Sequence, residues 1–147
     1  MIELLSDVSV QLWFLWIASC WLIWILGNLT LMLLINPDIP CFTGFHVRIP
    51  RRFVHLLSNV ELAALIAHEH GHRHHWHVWK NFVFVCLFME PRKRWRREQE
   101  LQADDYAAER GHAASLASAL RTIGIHTAFD NYRARRLDAA NDHYISA

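Results

Sequence analysis

The densest chemistry in this chain of 147 residues lies in His68-Glu69-His70-Gly71-His72. Histidines four apart on a helix project from one face, one turn apart, so both imidazoles can reach a single ion. Zinc accepts nitrogen and carboxylate ligands, and its catalytic sites keep one position for water. Glu69, beside the first histidine, is then placed to take a proton from that water. So short a motif also arises by chance, the more so where six histidines fall between His68 and His77. Its weight comes from Glu98-Gln99-Glu100-Leu101-Gln102-Ala103-Asp104. There Glu100 and Asp104 share a helix face by the i, i+4 rule. Glu100 offers a third ligand, and Asp104 a hydrogen bond that fixes the tautomer of a ligating imidazole. Alone, this acidic face would simply answer the basic run at residues 92–97. Beside the histidines it reads as the other half of a metal site.

His75 is the rival third ligand, because it lies on nearly the same helix face as His68 and His72. Three neighbours on one helix make a poorer set than two joined by a ligand from a facing helix. His70 and His74 are expected to point away, toward solvent or lipid headgroups, and His77 to make a structural contact.

These residues need two helices to position them. Ser58 with Glu61 forms a capping-box signal, which predicts a helix over about residues 59–77. A continuation through the apolar stretch 82–89 stays open; that stretch is too short to span a bilayer unless the preceding helix contributes, so it reads as core or membrane-surface packing, with a second crossing as the alternative. Residues 98–109 are strong helix formers with Gly111 as the stop, and a further helix is expected over about 113–123. Residues 45–49 alternate apolar and polar up to Pro50, as one short strand does. The basic run at 92–97 reads as a solvated linker and helix start, with contact to anionic lipid as the alternative. The tail from Arg133 onward carries no clear signal.

Apolar residues make up 53% of the chain, and the excess is concentrated at the start. Residues 8–37 contain no charge, and Asp7 and Asp38 close the run. Thirty residues at helical rise reach roughly 45 Å, beyond the roughly 30 Å of bilayer hydrocarbon. Trp13, Trp16, Trp21 and Trp24 suit a helix meeting lipid and headgroups, and Gly27-Asn28 is a plausible weak point. A signal peptide would carry a basic start and a shorter apolar core. Here Glu3 and Asp7 precede the run and no lysine or arginine does, so a retained anchor over residues 1–38 is expected, followed by one domain over 39–147. Arg48, Arg51 and Arg52 follow the anchor, and the positive-inside rule puts the domain in the cytoplasm. Three scattered cysteines make no disulfide framework, and a net charge of +1 gives no reason to expect nucleic acid.

The segment from Leu57 through His68-Glu69-His70-Gly71-His72 to His77 resembles the active-site helix of the M48 peptidases. These gluzincin zinc metallopeptidases include the membrane heat-shock peptidase of bacteria and the CAAX-processing peptidase. Their motif reads H-E-x-G-H with a further histidine five residues on, the place of His77. Their second motif, E-x-x-A-D-x-x-A-A, is matched by residues 100–108, and residues 115–120 resemble the helix that follows. His70 departs from the family, which usually has an apolar residue there, and this chain is a minimal form. The resemblance implies one Zn2+ per chain on His68, His72 and Glu100, with Glu69 as base and acid and Asp104 behind the ligands. It implies an α+β, mostly α fold: an N-terminal transmembrane helix plus a compact gluzincin-like core with a small sheet or hairpin. It also suggests that the strand near 45–49 pairs with an extended substrate, and leaves His126, Tyr106 and Arg110 open as stabilisers of the oxyanion.

The expectation is thus a zinc endopeptidase acting on a protein or peptide, integral to a bacterial inner membrane with its catalytic domain in the cytoplasm. Two other classes remain: a catalytically idle zinc domain that regulates a membrane partner, and a metal-handling membrane protein using many histidines.

Overall fold

The computed structural model describes residues 2–34, 38, 40–123 and 127–145. The chain forms two compact units, Met1–Ile35 and Asn36–Ala147. The first is one helix, α1 (Ile2–Leu34). It runs unbroken through Gly27-Asn28, where the Asn28 amide donates to the Trp24 carbonyl at 2.8 Å within the same helix. Ser19 likewise donates to the Leu15 carbonyl at 2.7 Å. Such back-bonding lets a polar side chain sit in an apolar helix with its hydrogen bond met. The 25 residues Val10–Leu34 are long and apolar enough to cross a membrane, a test that a signal sequence or a soluble core helix also passes.

The second unit holds β1 (Cys41–Phe42), β2 (Val47–Arg48), α2 (Arg51–Leu56), α3 (Asn59–His74), α4 (His77–Cys86), α5 (Lys93–Ala108), α6 (Ala113–Ile123) and α7 (Ala128–Ile145). It is mostly helical with one two-stranded sheet. The strand expected at 45–49 shortens to β2, which pairs antiparallel with β1 in the register Cys41↔Arg48 and Phe42↔Val47. A strand as short as β1 leaves no periodicity to read.

Helix α3 begins as expected. Ser58 Oγ accepts from the Glu61 N–H, and the Glu61 carboxylate accepts from the Ser58 N–H. The same carboxylate accepts from the Ser118 hydroxyl at 2.6 Å, which ties the cap to α6. Its end departs from expectation. α3 stops at His74, and Trp76 takes a left-handed φ of 59° before α4 begins at His77. No glycine or proline announces this break. On a straight helix His77 would stand roughly 140° round from His72; the bend brings the two rings together.

α5 starts at Lys93 rather than near Glu98, so most of the basic run is helical. It ends against Gly111, whose φ of 80° suits glycine, with Gly111 N–H donating to the Ala108 carbonyl at 2.9 Å. α6 has the bounds expected, and α7 is a helix the tail did not announce.

The core between α3, α5, α6 and α7 is built of small residues: Ala64, Ala67, Ala107, Ala117 and Ala134, with Leu116 and Leu137 filling the remaining space. Small side chains let helix backbones approach. At Gly71 the approach is so close that an added Cβ would lie 2.8 Å from Ala103 Cα. α3 and α5 therefore meet nearly backbone to backbone at the level of the histidines.

Candidate metal centre

His68 and His72 stand one turn apart on α3 and face Glu100 on α5. The two Nε2 atoms are 3.2 Å apart. Glu100 Oε2 lies 3.4 Å from His68 Nε2, and Oε1 lies 3.5 Å from His72 Nε2. Three donors from two helices thus converge on one point and can hold a metal ion; no second such group forms among the described residues. His68 and Glu69 are buried, at 4% and 5% exposure. All four side chains line a cleft of about 390 Å³, joined by Pro40, Cys41 and Phe42. The strand wall is therefore β1 and its preceding residue; residues 45–49, expected to be the substrate strand, take no part in the lining.

The far side of each imidazole also meets a partner. His68 Nδ1 lies 2.9 Å from Asp104 Oδ1. That distance is an ion-pair contact for a protonated ring, and no other group partners the buried Nδ1. His72 Nδ1 lies 2.9 Å from His77 Nδ1, and His77 Nε2 lies 3.0 Å from Gln102 Oε1. With Gln102 oriented so that its Oε1 faces His77, His77 Nε2 donates and His77 Nδ1 is a lone pair. His72 must then donate through Nδ1–H, which leaves its Nε2 bare and aimed at His68 and Glu100.

Burial disfavours a charged His68, but Asp104 and Glu100 outweigh it and raise the pKa to about 9. Burial, and then the positive His68, push His72 down to about 3. Burial raises Glu100, yet the hydrogen bond and charge of His68, with Arg133 behind them, hold it at about 2. Glu69 is pushed up by burial, with the His68 charge opposing. The metal-free site is thus a protonated His68 held by carboxylates beside a neutral His72.

Two participants were not legible in the sequence. Arg133 of α7 is 7% exposed and clamps Asp104 with two hydrogen bonds, Nε to Oδ2 at 2.7 Å and Nη2 to Oδ1 at 2.8 Å. Its Nη1 also lies 3.1 Å from Glu100 Oε2. Arg133 therefore positions both carboxylates, from a tail in which only its i, i+3 spacing from Asp130 hinted at a partner. Gln102 is the second, and its signal was weaker still: a glutamine between Glu100 and Asp104.

The remaining histidines separate cleanly. His75 caps α3 and stacks on His77 at 5.3 Å, outside the donor group, so it is not the third member. His74 packs on Tyr106 at 5.1 Å, and His70 lies outside the group. Of the suggested oxyanion stabilisers, Arg110 sits 3.3 Å over the Tyr106 ring and neither lines the cleft. His126 lies outside the described residues.

No family model, curated protein or solved structure matches this chain.

Proposed function

We propose that the chain is a membrane-anchored zinc endopeptidase of the gluzincin type, with one zinc per chain on His68, His72 and Glu100. The spacing of the three donors carries this reading. Bonds of about 2.0–2.1 Å in a tetrahedron set zinc ligands roughly 3.3 Å apart; the separations here are 3.2, 3.4 and 3.5 Å. Two imidazole nitrogens with one carboxylate suit zinc better than magnesium or calcium. The buried His68 Nδ1, 2.9 Å from the Asp104 carboxylate, fits a ring whose orientation an ion at Nε2 would complete. Structural zinc sites close with a fourth protein ligand, whereas these three donors face a cleft with the buried Glu69 carboxylate beside them.

A zinc held by His68, His72 and Glu100 would supply Lewis acidity toward a water and a carbonyl. Glu69 takes the proton from the attacking water and delivers it to the leaving amine. Its raised pKa brings it nearer to the cytoplasmic pH at which it must do both. Among the described strands β1 pairs only with β2. It lines the cleft with the Phe42 backbone bonded to Glu69, a wall along which an extended peptide could lie. α1 serves as the anchor in this reading, and the positive-inside rule applied to Arg48, Arg51 and Arg52 supports a domain on the cytoplasmic side of a bacterial inner membrane. The substrate is a protein or peptide at that surface.

Elemental analysis and peptide hydrolysis on wild type, Glu100→Ala and Glu69→Gln test the reading together. About one zinc per chain is expected in wild type and in Glu69→Gln, with loss in Glu100→Ala and hydrolysis by wild type alone. Unchanged zinc in Glu100→Ala removes the third ligand, and equal hydrolysis by Glu69→Gln removes the base.

A further inference from the structure

The end of α4 and the start of α5 form a surface that the metal centre does not use. α4 has ten residues, about 15 Å by helical rise and half of what a bilayer crossing needs. Its end is nevertheless apolar and exposed, with Leu87, Phe88 and Met89 at 53%, 72% and 52%. Phe88 adopts a φ of 57°, and the Met89 N–H closes back on the Phe84 carbonyl at 2.8 Å. The chain therefore reverses with three apolar side chains at its tip. Trp95, in the first turn of α5, meets Phe84 edge-on at 6.0 Å, so the basic start of α5 is folded against this apolar end.

Residues 92–97 carry five cations. Arg96 pairs with Glu90 at 2.8 Å, and Arg97 lies over the Phe129 ring at 5.2 Å. Arg92, Lys93 and Arg94 are exposed, and no ion pair engages them among the described residues. A projecting apolar tip, a half-exposed tryptophan and a collar of unpaired cations match the requirements of a bilayer interface. Acyl chains take the apolar side chains, the headgroup layer takes the indole, and anionic headgroups take the charge. An acidic protein partner would account for the cations but not for an apolar tip at a chain reversal.

We infer that the α4–α5 hairpin docks on an anionic lipid surface, with Leu87, Phe88 and Met89 entering it and Arg92, Lys93 and Arg94 meeting its headgroups. Val78, Asn81, Arg96 and Gln99 of the same two helices line the cleft. Docking therefore holds the cleft at the membrane surface. If the endopeptidase reading is right, it selects substrates presented there.

Amide hydrogen exchange of the full chain in lipid nanodiscs tests this, comparing phosphatidylcholine alone with phosphatidylcholine plus phosphatidylglycerol. Peptides covering residues 83–97 should exchange at least about tenfold more slowly in the anionic discs and lose that protection at high salt. Arg92→Glu/Lys93→Glu/Arg94→Glu should weaken docking on the order of a hundredfold, and Leu87→Ser/Phe88→Ser should abolish the difference between lipids. Equal exchange in the two lipids overturns the proposal, as does protection that survives both variants. Protection in lipid-free detergent that grows with protein concentration overturns it in favour of a second copy. Protection produced by added polyglutamate alone overturns it in favour of an acidic protein. Unchanged exchange in α3 and α6 certifies the variants; where that control fails, the salt dependence of wild type decides. Zinc content of the same samples reads the metal centre separately, so either inference can fail alone.

Discussion

The Nδ1 atoms of His72 and His77 lie 2.9 Å apart, a distance that holds one proton and no more. Gln102, bonded to the other nitrogen of His77 at 3.0 Å, decides which ring owns it. With the amide oxygen facing His77, the proton belongs to His72, and the Nε2 of His72 is left free for an ion. The left-handed turn at Trp76 makes this contact geometrically possible, and α5 sets its direction.

Removing the acceptor should therefore be felt at the metal. Gln102→Leu is expected to lower zinc affinity about 10–100-fold, the usual cost of losing a partner behind a ligating histidine. Gln102→Glu keeps an acceptor at that place and should bind far more nearly like wild type. Competition against a chromophoric chelator measures both, and equal affinities for wild type and Gln102→Leu would refute the relay.

Zinc must displace the proton on His68. With that pKa near 9 and His72 near 3, binding at pH 7 should release about one proton from His68 and none from His72. Calorimetry in buffers of different ionisation heats counts the release. Zinc affinity should rise between pH 6 and about 9 and then level off. A proton count near zero would show that His68 is neutral before the metal arrives.

The metal-free protein should follow a different pH course. His68 has a folded pKa near 9 against an ordinary value of 6.5. Its contribution is full below 6.5 and is lost as pH rises through 9. His72 is depressed to about 3, and its unfolded form binds the extra proton between 3 and 6.5, so stability rises with pH across that window. Chelator-treated protein should thus be most stable near pH 6.5 in thermal melts. A monotonic rise from pH 6.5 to 9 would contradict the protonated His68.

Gly71→Ala tests the closeness of α3 and α5. Its Cβ would sit 2.8 Å from a backbone atom, Ala103 Cα, so the helices must part. Overpacking of this kind costs about 1–3 kcal/mol, and the same movement draws Glu100 away from both imidazoles. Denaturant melts and zinc titration should fall together. A variant that keeps full zinc affinity would show that the ligand set tolerates separation of the helices.

Arg133→Met should be strongly destabilising, because it removes the two-bond clamp on the buried carboxylate of Asp104 and leaves it only His68. Breaking one side of such a pair costs about 3–5 kcal/mol. Adding Asp104→Asn to that variant should cost much less than it does in wild type, since the two residues act as one unit. Urea melts of the four proteins close the cycle; full additivity would mean that the clamp carries no energy.

What could be read from the sequence was local. The i, i+4 spacing placed His68 with His72 and Glu100 with Asp104, each pair on its own helix face. Ser58 and Glu61 marked where α3 begins, and Gly111 where α5 ends. The charge-free run at residues 8–37 marked a helix long enough for a membrane. All of these rest on helical periodicity or on contacts a few residues apart, which spacing alone encodes.

Tertiary structure decided the rest. The break at Trp76 has no glycine or proline behind it; its visible consequence is a bond between His77 and Gln102, 25 positions away. Arg133 reaches Asp104 across 29 positions, from a helix that residue types did not announce. The sequence already favoured Glu100 over His75, but bringing it to the two histidines required α3 and α5 to meet, which Gly71 and Ala103 permit. Spacing along a chain says which face a side chain occupies. Which faces then meet depends on how closely the backbones can pack, and that is a property of the folded whole.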